Sequence, residues 1–150
     1  MQINPPAGFK FQSVDQSSGA INLVEIPKDI KERIQSMADV FALNNTTQEE
    51  FESKWDGFAD HEIGNALEVL IVAAYNEGKL PDWEDGTIKR YPIFTMPTPS
   101  GARFAFLDYD CWQSFSFVGS RLVFIGPDSY ENMMDAVTKF LPQYEQSRTK

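Results

Sequence analysis

The spacing of apolar residues changes its period near residue 80, and this change restricts the chain to a mixed fold. Before that point apolar side chains recur every three or four residues, as they do along one face of a helix. After it they alternate with the two-residue period of a strand. We therefore predict an α+β fold with a helical N-terminal half, a small three- to four-stranded antiparallel sheet and a C-terminal helix.

Two helices are predicted early in the chain. Steps of four, three and four residues that begin at Ile30 predict the first helix, over about residues 29–41. Thr47 followed by Glu50 has the form of a capping box, which opens a short acidic helix that ends near Lys54.

Two further helices are predicted from their cap residues. A long helix begins at Asp60, its predicted N-cap, and ends before Gly78, which favours the left-handed conformation beyond a helix end. Its apolar stripe comprises Ile63, Leu67, Leu70, Ile71, Ala74 and Tyr75. Asp128 and Glu131 have the form of a second capping box, for a closing helix with Pro142 near its end.

The predicted sheet follows a turn-rich loop. Residues 91–96 and 103–108 have strand character and are separated by a turn that contains proline and glycine, which predicts a hairpin. Residues 115–118 and 121–125 are the third and fourth candidate strands, on either side of Gly119.

Length and composition predict one domain, at residues 28–150, preceded by an extended arm at residues 1–27 with one short strand. A chain of 150 residues with 42% hydrophobic content is long enough and apolar enough to build a single core. The single cysteine, Cys111, forms no intramolecular disulfide, as expected in a reducing compartment. No apolar run approaches the ~20 residues needed to cross a bilayer, and residues 1–8 lack the features of a signal peptide. We expect a cytoplasmic protein without a membrane partner.

The net charge of −9 argues against non-specific binding to a nucleic-acid backbone. Acidic residues, among them Glu49, Glu52 and Asp56, are concentrated in the predicted helices of the first half. Such a surface steers a basic protein partner towards the chain, or it is a solvated face that maintains solubility.

No catalytic residue, cofactor or metal site is predicted. His61 is the only histidine, and Cys111 has no base near it in sequence. The acidic loop that begins at Asp82 lacks the glycine and the glutamate that a calcium loop requires, and no phosphate-binding glycine motif occurs. An enzyme built around Asp108, Asp110 and His61 is an alternative hypothesis.

Aromatic and basic residues share the β half of the chain. Tyr109, Trp112 and Trp83, with Arg103 and Arg121, are candidate binding residues, because exposed rings beside cations bind single-stranded nucleic acid. The same rings pack into the core if the sheet is covered by helices. Both possibilities are open.

Four sequence segments resemble a group of small proteins of unassigned activity encoded by phages and integrative elements of gut bacteria. They are the runs AYNEGKLPDWEDG, YPIF, Asp108-Tyr109 and FSFVGSRLVF, and the resemblance covers about residues 60–141, most clearly residues 115–124. It implies a mobile-element origin and a location in the host cytoplasm or the virion. It implies no reaction.

The leading prediction is a non-enzymatic phage or mobile-element protein that binds another protein, as a virion component or on a host factor. Single-stranded nucleic-acid binding is the first alternative and an enzyme the second. Assembly into a homo-oligomer is a further hypothesis.

Overall fold

The computed structural model describes residues 5–6, 9–25, 28–114 and 118–148. The strands are β1 (Phe9–Val14), β2 (Ile21–Glu25), β3 (Lys89–Thr95) and β4 (Ala105–Trp112). The helices are α1 (Ile30–Arg33), α2 (Met37–Leu43), α3 (Gln48–Trp55), α4 (Asp60–Tyr75), α5 (Ser129–Lys139) and α6 (Leu141–Arg148), with one 3-10 turn (Ser120–Leu122). The α+β class is confirmed.

The prediction of one three- to four-stranded sheet is wrong. Within the described residues the strands form two separate antiparallel pairs, β1 with β2 and β3 with β4. The predicted arm therefore contains a hairpin instead of one strand. The predicted hairpin at residues 91–108 is confirmed as β3 and β4. Of the two other candidate strands, residues 115–117 lie outside the described residues, and residues 121–125 form part of the 3-10 turn and one isolated bridge.

An asparagine side chain satisfies the edge of residues 123–125 that faces away from β3. Phe124 pairs with Arg90 in a single bridge. On either side of that bridge, Asn76 Nδ2 donates to the carbonyl of Val123 at 2.8 Å and Asn76 Oδ1 accepts from the N–H of Ile125 at 3.1 Å. The side chain at the end of α4 thus replaces a neighbouring strand as hydrogen-bond partner.

The helix predicted over residues 29–41 is divided into α1 and α2. Ser36 begins α2 as its N-cap, and the Asp39 carboxylate accepts from the N–H of Ser36 at 2.9 Å. Ile34 is extended, with φ −105° and ψ 105°. Lys139 donates to the carbonyls of Lys31 and Ile34, both at 2.8 Å, so carbonyls released at the break keep a partner.

The ends of α4 differ by one or two residues from the prediction. Ala59 is the N-cap instead of Asp60, and its N–H donates to the Glu62 carboxylate at 3.0 Å. Beyond the helix end, Glu77 and Gly78 both have positive φ, 51° and 75°, so the left-handed conformation predicted at Gly78 is confirmed.

One of the two predicted capping boxes is present. The Thr47 hydroxyl accepts from the N–H of Glu50 at 3.2 Å, while the Glu50 carboxylate accepts from the N–H of Thr47 at 3.0 Å. Asp128 is the N-cap of α5 but makes no side-chain cap hydrogen bond, so the predicted box with Glu131 is wrong. Its backbone, at φ −96° and ψ 18°, is outside the extended region that a capping side chain requires.

The sequence pattern missed α6, which follows α5 after a break at Phe140. Pro142, predicted near the end of the closing helix, lies in the first turn of α6, where a missing N–H has no cost. Tyr144 is fully buried in the main core. That core also takes side chains from α2, α4, α5 and the β3–β4 hairpin, including Val40, Ile71, Phe104, Met133 and Phe140.

Close approach of α6 to α4 depends on Gly64. A Cβ atom at this position would lie 2.4 Å from the backbone nitrogen of Ser147 and 2.6 Å from the carbonyl carbon of Gln146. Because both contacts are with backbone, α6 must move to admit a side chain.

A buried ion pair joins the same two helices. Glu68 is 1% exposed, and its two carboxylate oxygens accept from the two terminal nitrogens of Arg148 at 2.7 and 3.0 Å. Ser147 Oγ also lies 3.0 Å from this carboxylate. Burial alone lowers the pKa of Arg148, but the hydrogen bonds and charge of Glu68 outweigh it, so that the pKa is raised and the guanidinium stays charged.

We predict that Gly64→Ala lowers the free energy of unfolding by about 1–3 kcal/mol, because α6 is displaced. In a helix without a close neighbour the same change raises the free energy of unfolding by about 0.5–1 kcal/mol. The sign of the measured change therefore shows whether α6 packs closely on Gly64. Urea denaturation measures it, with the exposed neighbour Asn65→Ala as control. A stabilised Gly64→Ala variant would mean that α6 does not pack closely on α4.

We also predict that Arg148→Met lowers the free energy of unfolding by about 3–5 kcal/mol, because Glu68 stays buried without its charge partner. The double variant Glu68→Met, Arg148→Met should recover part of this loss. The exposed pair of Arg33 and Glu77, at 2.8 Å, is the matched control, and Arg33→Met should cost about 1 kcal/mol or less. Equal losses for Arg148→Met and Arg33→Met in urea denaturation would contradict the prediction.

Candidate interaction surfaces

The β1–β2 hairpin places five apolar side chains on one face. Phe11 pairs with Leu23 and Val14 with Ile21, and the register shifts by one residue between these two pairs. This bulge returns Val14 to the face of Phe11, from which simple alternation would have turned it away. Phe9, two residues before Phe11, lies on the same face. We call these five residues the apolar hairpin face.

The apolar hairpin face is open to solvent. The exposed fractions are 40% for Phe9, 44% for Phe11, 59% for Val14, 39% for Ile21 and 39% for Leu23. Every residue of β1 and β2 is exposed except Val24, which is half-buried. Contiguous exposed apolar surface of this kind is typical of interaction sites, since water-exposed rings without a packing partner contribute no stability.

The opposite face of the hairpin is polar except for Val24. Ser13 pairs with Asn22, and Asn22 Nδ2 donates to Ser13 Oγ at 3.1 Å. Lys10 pairs with Val24 on this face. The hairpin is therefore amphipathic although it is only two strands wide.

A compact turn closes the hairpin. Asp15 Oδ1 accepts from the N–H of Ser17 at 2.8 Å and from its hydroxyl at 2.6 Å, and the N–H of Asp15 donates to the carbonyl of Ala20 at 2.8 Å. Gly19 has φ 73°, which favours glycine there. The side-chain hydrogen bond from Ser17, followed by the backbone bond, lowers the pKa of Asp15 to about 2.

The predicted acidic residues lie on α3 and at its end. Glu49, Glu52 and Asp56 are all exposed. Glu52 accepts a hydrogen bond from Gln48 at 2.7 Å, within the same helix. We call these three carboxylates the acidic surface.

Two of the aromatic rings in the β half pack inside the fold. Trp112 is 8% exposed and its ring lies 6.3 Å from that of Tyr91. Phe104 is also 8% exposed and stacks on Phe94 at 4.8 Å. Because both rings are buried, they do not form a platform for bases.

Tyr109 and Trp83 are the more accessible rings among the predicted residues. Tyr109 is 37% exposed and contacts Tyr130 at 5.3 Å, with the guanidinium of Arg90 5.8 Å from its ring. Its neighbours Asp108 and Asp110 are exposed carboxylates, which disfavour a phosphate backbone. Trp83 is half-buried and lies 5.4 Å from the ammonium of Lys89.

The two candidate arginines lie on different parts of the fold. Arg103 is exposed in the turn between β3 and β4. Arg121 is exposed at the 3-10 turn and lines a groove of about 640 Å³ with Phe51 and Trp55 of α3 and Leu70 of α4. Arg121 therefore lies beside the helices instead of at a margin of the sheet.

The candidates for catalysis lie on separate elements. His61 is exposed in the first turn of α4, whereas Asp108 and Asp110 are exposed on β4. Cys111 is also exposed on β4. Within the described ranges, no group of three or more His, Cys, Asp and Glu side chains is placed to hold a metal ion. Nor does the described part of the chain contain a helix long and apolar enough to cross a membrane.

Comparisons of the chain with protein-family models, curated protein sequences and solved structures find no match. Function is therefore inferred from the surfaces described above.

The sequence pattern missed the apolar hairpin face. The alternation of Phe9 and Phe11 and that of Ile21 and Leu23 are both visible in the sequence, with Gly19 between them. The alternation of apolar residues at every second position in the predicted arm indicates two strands. It does not place Val14, because only the bulge brings this residue to the apolar face.

We predict that the Asp15 carboxyl titrates with a midpoint of about 2, below its ordinary value of 3.8. Since the folded pKa is lowered, the turn is stabilised above pH 3.8 and this contribution is lost as the pH falls through about 2. An NMR titration of the side-chain carboxyl measures the midpoint. Ser17→Ala should shift it towards 3.8, and an unchanged midpoint in that variant would contradict the assigned hydrogen bonds.

Proposed function

We propose that the protein works by binding another protein through the apolar hairpin face. The observation that carries this proposal is the position of five apolar side chains on one face of an exposed hairpin, with Glu25 at its end, while the other face is polar except for Val24. A two-stranded hairpin is only marginally stable alone in water, so a partner that covers its apolar face also stabilises the hairpin.

Burial of this face supplies binding energy of a useful size. Covering a Phe or Leu side chain completely contributes roughly 1.5–3 kcal/mol, and part of each of these side chains is already shielded. The free energy from burying the five side chains together exceeds the entropy cost of association, which is what a specific contact requires. The two rings, Phe9 and Phe11, are the expected centre of the interface, because aromatic residues dominate binding hot spots.

The partner is a basic protein. The acidic surface and the net charge of −9 attract positive charge at long range and raise the rate of encounter. The resemblance of residues 60–141 to proteins of phages and integrative elements favours a virion component or a host factor as this partner. Within that proposal the chain has no catalytic role.

Single-stranded nucleic-acid binding has less support. It required exposed rings beside arginines, whereas Trp112 packs against Tyr91 and Arg121 lies beside α3 and α4. Tyr109 remains accessible, but exposed carboxylates flank it on β4.

The test is affinity capture of the tagged protein from host lysate and from intact particles, with and without nuclease. We expect a nuclease-resistant protein partner at stoichiometric amount. Phe11→Ser with Leu23→Ser, a cross-strand pair on the apolar hairpin face, should reduce the captured amount about tenfold or more.

The matched control is the cross-strand pair on the polar face, Ser13→Ala with Asn22→Ala. This variant should capture the partner as the unchanged protein does. Circular dichroism should show the helical content of both variants to be equal. Capture that vanishes with nuclease, or that the Phe11 and Leu23 variant retains in full, would overturn the proposal.

A further inference from the structure

Two neighbouring cavities form one groove along α4. The cavity of about 640 Å³ that Arg121 lines lies between α3 and the first part of α4, and a second cavity of about 310 Å³ lies beside its last turns. Asn44, Val69, Leu70 and Arg121 line both cavities, so the two adjoin. We call the two together the α4 groove. The apolar hairpin face and the acidic surface contribute no residue to it.

The floor of the α4 groove is an apolar strip on one face of α4. Its members lie three or four residues apart and are all half-buried: Ala66, Val69, Leu70 and Ala73. Trp55 of α3 is also half-buried and forms a side wall. At one end the ring of Phe58, 49% exposed, lies 4.9 Å from that of Trp55, and at the other end Leu80 is 66% exposed. Packing within the chain therefore leaves this strip partly uncovered.

The strip has the length and shape that a second helix fills. Between Glu62 and Ala73, which both line the groove, α4 rises about 16 Å. Three turns of a partner helix have the same length, and its apolar side chains, three or four residues apart, fit between those of α4. The described walls come mainly from α3, α4 and the 3-10 turn, so they offer no strand edge to an extended peptide.

The charges that the α4 groove offers to a partner are positive. Lys54, Lys79 and Arg121 line it, are exposed, and form no ion pair with any described residue. The lining also contains the carboxylates of Glu50 and Glu62, which accept from backbone N–H groups at the starts of α3 and α4, both at 3.0 Å. Because these two carboxylates lie at the positive ends of two helix dipoles, their charges are already compensated.

The net charge of −9 does not decide what binds in the groove. By helical spacing, Glu49, Glu52 and Asp56 lie on the face of α3 opposite to Phe51 and Trp55, which line the groove. Salt screens exposed charges over about 8 Å at physiological ionic strength. The cations at the groove therefore determine the local electrostatic attraction.

We propose that the α4 groove binds an amphipathic helix of a partner protein, with Asp or Glu side chains beside its apolar face. The apolar side chains of that helix cover the strip, and its carboxylates pair with Lys54, Lys79 and Arg121. A basic helix would place like charges opposite these three cations. Single-stranded nucleic acid is a poorer match, because the aliphatic side chains of the floor do not stack with bases. This inference goes beyond the proposed function, which uses the apolar hairpin face and a basic partner.

The test is a selection from a displayed library of random peptides of about 16 residues, long enough to form a helix. The library is first depleted on the Val69→Asp variant, in which the groove is blocked by a charge and the hairpin is unchanged. It is then selected on the unchanged protein. We expect enriched peptides with apolar residues three or four positions apart and with Asp or Glu beside them. Enrichment of basic peptides, or no enrichment, would overturn the proposal.

Fluorescence anisotropy then measures the affinity of the most enriched peptide. Lys54→Ala with Arg121→Ala should weaken binding about tenfold. The urea midpoint of this variant should stay the same, because both side chains are exposed and form no ion pair with any described residue. The matched control is Lys10→Ala with Arg103→Ala, which changes the net charge equally at two exposed positions outside the groove. This variant should bind as the unchanged protein does.

A second pair of variants tests the apolar strip. Val69→Asp should abolish binding, whereas Leu107→Asp should not, since Leu107 is 61% exposed on β4 and lies outside the groove. Circular dichroism should show equal helical content in both variants. Phe11→Ser with Leu23→Ser should leave peptide binding unchanged, so that failure of this proposal is distinguished from failure of the proposed function.

Three further results would overturn the proposal. The first is equal loss of affinity in the two double-alanine variants, which indicates long-range attraction alone. The second is displacement of the peptide by a single-stranded dT oligonucleotide, which indicates a nucleic-acid site. The third is self-association in analytical ultracentrifugation that Val69→Asp removes and Leu107→Asp retains, because a second copy of the chain then occupies the groove.

Discussion

The ion pair between Glu68 and Arg148 is the interaction on which the arrangement of the domain depends. It lies between α4 and the last turn of α6, with Glu68 buried and Arg148 half-buried. The guanidinium also lies 4.7 Å from the ring of Phe94 and 5.5 Å from that of Tyr144, so it connects α4 and α6 with β3. Such a pair stabilises a fold only if its hydrogen bonds are complete, and two nitrogens on two oxygens provide them here. Because Gly64 has no side chain, the backbone of α6 approaches α4 closely, and the guanidinium of Arg148 lies within hydrogen-bond distance of the Glu68 carboxylate.

Hydrogen bonds from polar side chains also stabilise the places where regular structure is interrupted. Asn76 replaces a strand beside residues 123–125, and Lys139 binds the carbonyls left at the break between α1 and α2. Buried Lys89 donates to Asp85 and to the carbonyls of Thr87 and Gln113, which holds the loop before β3 against the sheet. Short helices and two-stranded sheets leave many backbone groups unpaired, and long polar side chains satisfy them.

The distribution of apolar surface connects the fold with the proposed function. In the main core the ring of Phe94 on β3 packs against Phe104 of the hairpin turn and against Tyr144 of α6. The hairpin of β1 and β2 has an apolar face of comparable character, but its rings remain in water. A chain that buries one set of rings and exposes another has a core and, in our proposal, a binding surface.

The sequence by itself determined the α+β class, the position of α3 and α4, the left-handed end at Gly78 and the β3–β4 hairpin. Each of these follows from local periodicity, cap residues and turn residues, which act within a few positions of one another. Only the tertiary structure decided that Asn76 instead of a further strand borders residues 123–125, that α6 is packed in the core and that Val14 joins the apolar hairpin face. These features depend on contacts such as Asn76 with Ile125 and Glu68 with Arg148, which are 49 and 80 residues apart, and on a bulge that no spacing rule marks. The free energy of burying a polar group is set by the partner that packing brings to it, and the partner's position is not contained in the local pattern.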